Sequence, residues 1–113
     1  MTYLKLINNL ARAEMAYQRY KTVPNYHHAM HIYHANKVIY EELNVILSQT
    51  LRTSPVKELI INFMFRLEDW FLQFEQLEKQ THHLEQEFIF QPLSNAVTYP
   101  KDFIEKLTLL GNL

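Results

Sequence analysis

Four histidines fall between positions 27 and 34: His27, His28, His31 and His34. On a helix, His27, His31 and His34 have i, i+4, i+7 spacing and share one face. Imidazole is a ligand for zinc, nickel and copper, and two imidazoles one turn apart can hold one ion between them. His82 and His83 can add a ligand if a later helix returns beside this segment. Other features oppose a metal site. The three histidines point away from the apolar stripe of their own segment, and the nearest carboxylates, Glu41 and Glu42, lie two turns beyond His34. Neither the His-Glu-x-x-His pair of zinc proteases nor the Glu-x-x-His of di-iron bundles occurs. A polar face that titrates near neutral pH accounts for the cluster without a metal. The expectation is therefore no cofactor, with His27, His31 and His34 as the metal candidates.

Lys5, Arg12 and Arg19 recur every seven residues and form a basic line, with Tyr17 and Tyr20 nearby. Such a line can track phosphates while aromatic rings stack on bases. It predicts weak, steeply salt-dependent retention on heparin or DNA. Three charges are few, however, and the net charge is −1. No helix-turn-helix glycine turn or glycine-rich loop is present. Nucleic acid is thus a secondary expectation.

Tyr26, Tyr33 and Tyr40 are also spaced by seven. They suit helix–helix packing with hydroxyls at the wet rim better than an aromatic ligand pocket. Nothing else suggests catalysis. Cysteine is absent and serines are few. No nucleophile elbow, P-loop or dinucleotide fingerprint occurs. Glu41-Glu42 and Glu68-Asp69 are sequence neighbours that diverge by about 100° on a helix, so neither is an acid/base pair by itself. The expectation is a non-enzymatic protein.

The elements that position these residues are helices. One glycine and four prolines in 113 residues leave too few turn residues for a β domain. Val23-Pro24-Asn25 and Thr53-Ser54-Pro55 are the first two breaks, with Ser54 as N-cap and Pro55 at the first helical position. Gln91-Pro92 ends the third segment, and Tyr99-Pro100 opens a short one that Gly111 can close. Helix 1, about residues 2–21, repeats Tyr3, Leu6, Ile7, Leu10, Ala13, Tyr17 and Tyr20 at helical spacing. Helix 2, about 25–51, carries a stripe from Ala29 to Leu47 that is wide enough for two neighbours. A terminal helix, about 100–110, offers Phe103, Ile104, Leu107 and Leu110.

The third helix is the most informative. Val56, Ile60, Phe63, Leu67, Trp70, Phe74, Leu77, Thr81, Leu84 and Phe88 alternate steps of four and three, a heptad seam of the coiled-coil type. Continuous from Pro55 to Gln91, it would run about 55 Å, against roughly 35 Å for the diameter of a compact domain of this length. The helix therefore breaks, projects, or is covered by another chain. A second apolar line, Ile61, Phe65 and Leu72, lies roughly opposite the seam, with Met64 and Phe71 on the flank between. A helix apolar nearly all round is a buried helix.

Charge is unevenly spread. Residues 1–40 carry +4 and residues 41–113 carry −5, so the halves can attract each other within a bundle or between copies. The first residues lack the apolar core of a signal peptide. The longest apolar run, Leu59 to Leu67, is interrupted and falls well short of the roughly 20 residues a membrane span needs. Taken together, these features predict one domain over 1–113. Its fold class is all-α, an antiparallel up-down bundle of three long helices plus a short C-terminal helix. Its expected location is the cytoplasm, with no membrane contact. The expected function is protein–protein interaction, as a homodimer and with another protein. The interface is expected on Ile61, Met64, Phe65, Phe71 and Leu72 together with part of the heptad seam.

Overall fold

The computed structural model describes residues 2–80, 101–106 and 109. It is an all-α bundle of three long helices, α1 (Thr2–Thr22), α2 (Tyr26–Gln49) and α3 (Pro55–Gln80), with a short helical segment at 101–106. The expected extension of α3 to Gln91, His82 and His83, and the terminal-helix residues Leu107, Leu110 and Gly111 lie outside the described residues.

Local chemistry explains the breaks. The amide of Val23 closes on the Arg19 carbonyl at 3.1 Å, after which Pro24 cannot continue the helix. Asn25 is extended (φ −117°, ψ 169°), and its Oδ1 accepts the His28 amide at 2.8 Å. That bond satisfies one of the orphan donors of the first turn of α2. At the far end no glycine is at hand. Thr50 turns extended, its amide donates to the Leu47 carbonyl at 3.2 Å, and its hydroxyl donates to the Ile46 carbonyl at 2.6 Å. Ser54 caps α3 as its position before Pro55 predicts, its Oγ accepting the Val56 amide at 3.2 Å.

The helices share one hydrophobic core. α1 contributes Leu6, Ala13, Ala16 and Tyr20; α2 contributes Ala29, Ile32, Ile39, Leu43 and Ile46. α2 packs against both α1 and α3, as its wide stripe predicts. From α3 the core takes the heptad seam, Val56, Ile60, Phe63, Leu67, Trp70 and Phe74. On α1, Ile7 is exposed, a correction to the predicted stripe, while Asn9 and Ala16 are buried in its place. The apolar direction of α1 leans toward α2, so small residues there go inside and Ile7, on the other flank, does not.

The 101–106 segment joins α1 to α3. Lys101 pairs with Glu14 of α1 at 3.1 Å, and Asp102 accepts from Arg66 of α3 at 3.4 Å. The Phe103 ring is buried 4.8 Å from that of Phe63, centroid to centroid. The predicted attraction between charged halves takes one direct form here, Lys5 to Glu42 at 3.5 Å across α1 and α2.

Candidate interaction surface

The α2–α3 contact is the best-defined chemistry in the molecule. The two helices run antiparallel, and three tyrosines of α2 donate hydroxyl bonds to three glutamates of α3. Tyr26 bonds Glu78, Tyr33 bonds Glu75 at 2.8 Å, and Tyr40 bonds Glu68 at 2.8 Å. The heptad spacing of the tyrosines puts all three on the flank of α2 that faces α3. The bond to Glu78, burial and the Glu78 charge push the Tyr26 hydroxyl up to about 12. Burial, then Glu75, pushes Tyr33 up to about 12, and burial and Glu68 raise Tyr40. A neutral hydroxyl is held because a phenolate would meet a carboxylate in a partly buried place.

The rings beneath the hydroxyls are packed. Tyr33 lies 5.0 Å from Phe74, 5.4 Å from Phe71 and 6.3 Å from Trp70, centroid to centroid. The Lys37 ammonium sits 4.2 Å above Phe71 and 5.3 Å above Tyr33. The tyrosine line is therefore filled by helix packing. The glutamate partners were missed from sequence, although Glu68 and Glu75 share the seven-residue spacing of Tyr33 and Tyr40.

The outer face of α3 lies beside this ladder. Phe65 is 64% exposed and Leu72 is 60% exposed, with Ile61 half-buried on the same line. Met64 and Phe71 are corrections to the expected interface: at 7% and 5% exposure both belong to the chain's own core. The cause is angular. Both residues sit on the flank of α3 that α2 covers, and Phe71 takes the edges of the Tyr33 and Tyr40 rings. The heptad seam is a second correction, since its described residues from Val56 to Phe74 are spent inside the bundle. What remains outward is a narrow line, bordered by a groove of about 350 Å³ between Lys37, Tyr40, Glu68, Phe71 and Leu72. Leu51, at the α2–α3 turn, is 77% exposed and escaped notice because an isolated leucine in a turn carries no periodicity. Other exposed apolar residues are Leu4, Ile7 and Met15 on α1, Val23 in the loop after it, Val38 and Val45 on α2, and Leu109 near the C-terminus, at 80% the most exposed. Phe65 is the one aromatic among the large apolar residues exposed in the described part.

The other candidates are placed as follows. His27, His31 and His34 are exposed on α2, and the His27 and His31 rings are 4.5 Å apart. Among the described residues, no group of three or more His, Asp or Glu is arranged to hold a metal ion. Partial desolvation, then the charges of His27, His28, Arg19 and His34, lowers the His31 imidazole from its ordinary value. Lys5, Arg12 and Arg19 are all exposed on α1. Lys5 is engaged by Glu42 and the Arg19 charge reaches His31, so this line borders α2. A cleft of about 260 Å³ between α3 and the 101–106 segment is lined by Leu59, Asn62, Phe63, Arg66, Asp102, Phe103 and Lys106. Its charges are already paired with one another, Asp102 taking both Arg66 and Lys106.

Comparison with protein-family models, with curated proteins and with solved structures finds no match. No helix among the described residues is long and apolar enough to cross a membrane.

Proposed function

We propose that this chain is a non-enzymatic protein–protein interaction module of the cytoplasm that associates with a second copy of itself through the outer face of α3. The observation that carries this reading is the pair Phe65 and Leu72. Two large apolar side chains, two turns apart on one line, stand mostly in water on a helix whose opposite side is already buried. The core does not need them, and with half-buried Ile61 they give the outer side of α3 its apolar character. A two-fold dimer is the commonest closed assembly that covers such a face. A small bundle of this type suits a regulator, adaptor or inhibitor that acts by occupying another protein's surface.

Sedimentation velocity over a range of concentrations tests this. The wild-type chain forms a dimer, and Phe65→Asp and Leu72→Asp shift it to monomer while the helical circular dichroism is retained. Dimers that persist unchanged in both variants would show that the surface lies elsewhere. A wild-type chain that stays monomeric at every concentration would rule out self-association.

A further inference from the structure

We infer that two copies pair their α3 helices antiparallel about a two-fold axis, with Phe65 of each copy opposite Leu72 of the other and Glu58 opposite Lys79. This inference rests on the self-association proposed above and adds its orientation and register.

The placement of four residues carries it. Glu58, Phe65, Leu72 and Lys79 recur every seven positions along α3 and are all exposed. They form one outward line, with an acid at the N-terminal end, two apolar side chains in the middle and a base at the C-terminal end. Successive members are about 10 Å apart along the helix. Among the described residues, neither Glu58 nor Lys79 makes an ion pair within its own chain. The line is therefore complementary to its own reversal. Turned end for end, it sets acid against base at both ends and apolar against apolar at both central positions.

The competing arrangements match the four members of the line less well. A parallel pair places Glu58 against Glu58 and Lys79 against Lys79, so like charges meet at both ends of the line. An antiparallel pair shifted by one heptad sets Phe65 against its own copy but puts Leu72 over Glu58. Shifted the other way, it sets Leu72 against its own copy but puts Phe65 over Lys79. The register with Phe65 over Leu72 is the one in which every member of the line meets a partner of its own kind or opposite charge.

About the two-fold axis Glu68 faces its own copy and Asp69 faces its own copy, so like charges meet at the centre of this register, and the Phe65–Leu72 contacts and the two Glu58–Lys79 pairs must outweigh them. Both carboxylates are already engaged within their own chain. Glu68 accepts the Tyr40 hydroxyl at 2.8 Å, and Asp69 accepts the Gln73 amide at 2.6 Å. They flank the line on opposite sides, so the apolar contact runs between them. The Tyr–Glu ladder thus holds one of the two carboxylates aside from the contact.

The chain has no cysteine, which makes the test clean. Phe65→Cys and Leu72→Cys are prepared as separate full-length variants and oxidised alone and mixed, beside sedimentation of the wild type. The expected result is a covalent dimer enriched in the mixture, with little from either variant alone. Covalent dimers from each variant alone, without enrichment on mixing, would overturn the antiparallel register while leaving self-association intact. A wild-type dimer with no cross-link in any sample would overturn the assignment of this face. A monomeric wild type would remove the reading on which the inference rests.

A charge swap gives an independent measurement with little risk to folding, because both positions are exposed. Glu58→Lys alone and Lys79→Glu alone each weaken association several-fold. The two together in one chain restore it. Failure of the double variant to recover any association would count against the pairing of Glu58 with Lys79.

Discussion

The hydroxyl of Tyr33 donates to Oε2 of Glu75 across 2.8 Å, from the middle of α2 to its antiparallel neighbour α3. The same residue packs its ring among Trp70, Phe71 and Phe74. One side chain therefore fastens the apolar layer and the polar rim of a helix pair together. Tyr33→Phe keeps the ring and loses the bond, which costs about 1 kcal/mol. Tyr33→Ala also loses the packing and costs about 3 kcal/mol or more. Urea denaturation of both variants separates the two contributions. A Tyr33→Phe variant as unstable as Tyr33→Ala would show that the hydrogen bond, not the ring, dominates.

The ladder makes stability depend on alkaline pH. The Tyr26 and Tyr33 hydroxyls are pushed up to about 12 from an ordinary value of 10.0. The folded chain therefore holds protons that the unfolded chain releases first. This contribution is fully present below about pH 10 and is lost as pH rises through about 12. Spectrophotometric titration should show tyrosines that ionise late, and the late component should shrink in Tyr26→Phe and Tyr33→Phe. Ionisation of all the tyrosines together near pH 10 in the folded chain would contradict the ladder.

Neighbouring residues on α3 should respond in opposite ways. Met64 is buried in the core, whereas Phe65, the next residue, is mostly exposed. Met64→Asp places an unpaired charge in the core and should cost about 3 kcal/mol or more. Phe65→Asp should change the stability of the isolated fold by only about 0.5 kcal/mol. Thermal melts of the two variants at a concentration low enough to favour monomer check the contrast.

His31 should titrate below the ordinary imidazole value. Partial desolvation is the largest cause, followed by His27 and His28, with Arg19 contributing from α1. Because the folded chain resists protonation here, the stability it contributes falls as pH drops through the ordinary histidine value of 6.5. Removing a cation in Arg19→Gln should raise the His31 value. Ring-proton chemical shifts against pH report both effects, and an unchanged His31 titration in Arg19→Gln would break the link between α1 and this face.

Asn36 is fully buried in α2, and its Nδ2 donates to the Ile32 carbonyl at 3.1 Å while its Oδ1 has no partner among the described residues. A buried acceptor without a donor costs about 1–3 kcal/mol. Asn36→Leu, which keeps the branching of the side chain, should therefore leave stability unchanged or raise it. Chemical denaturation gives the answer directly; a large loss would mean that the amide holds the core together in a way the present contacts do not explain.

Much of this fold follows from the chain order of residues alone. The three long helices, the breaks at Pro24 and at Ser54-Pro55, and the inward seam from Val56 to Phe74 are all consequences of local propensity and of apolar periodicity. These signals act within a few residues, so they survive without knowledge of neighbours. The heptad spacing of Tyr26, Tyr33 and Tyr40 was legible in the same way. Their hydrogen-bond partners were not, because a bond between residues 33 and 75 depends on the register of two helices. Tertiary structure alone decided which flank of α3 is covered. Packing of α2 took Met64 and Phe71 into the core and left Phe65 and Leu72 in water. Helical periodicity gives a residue's angle about its own axis, but the direction of the neighbouring helix is set by packing across the whole bundle. That direction narrowed a broad apolar surface to one outward line.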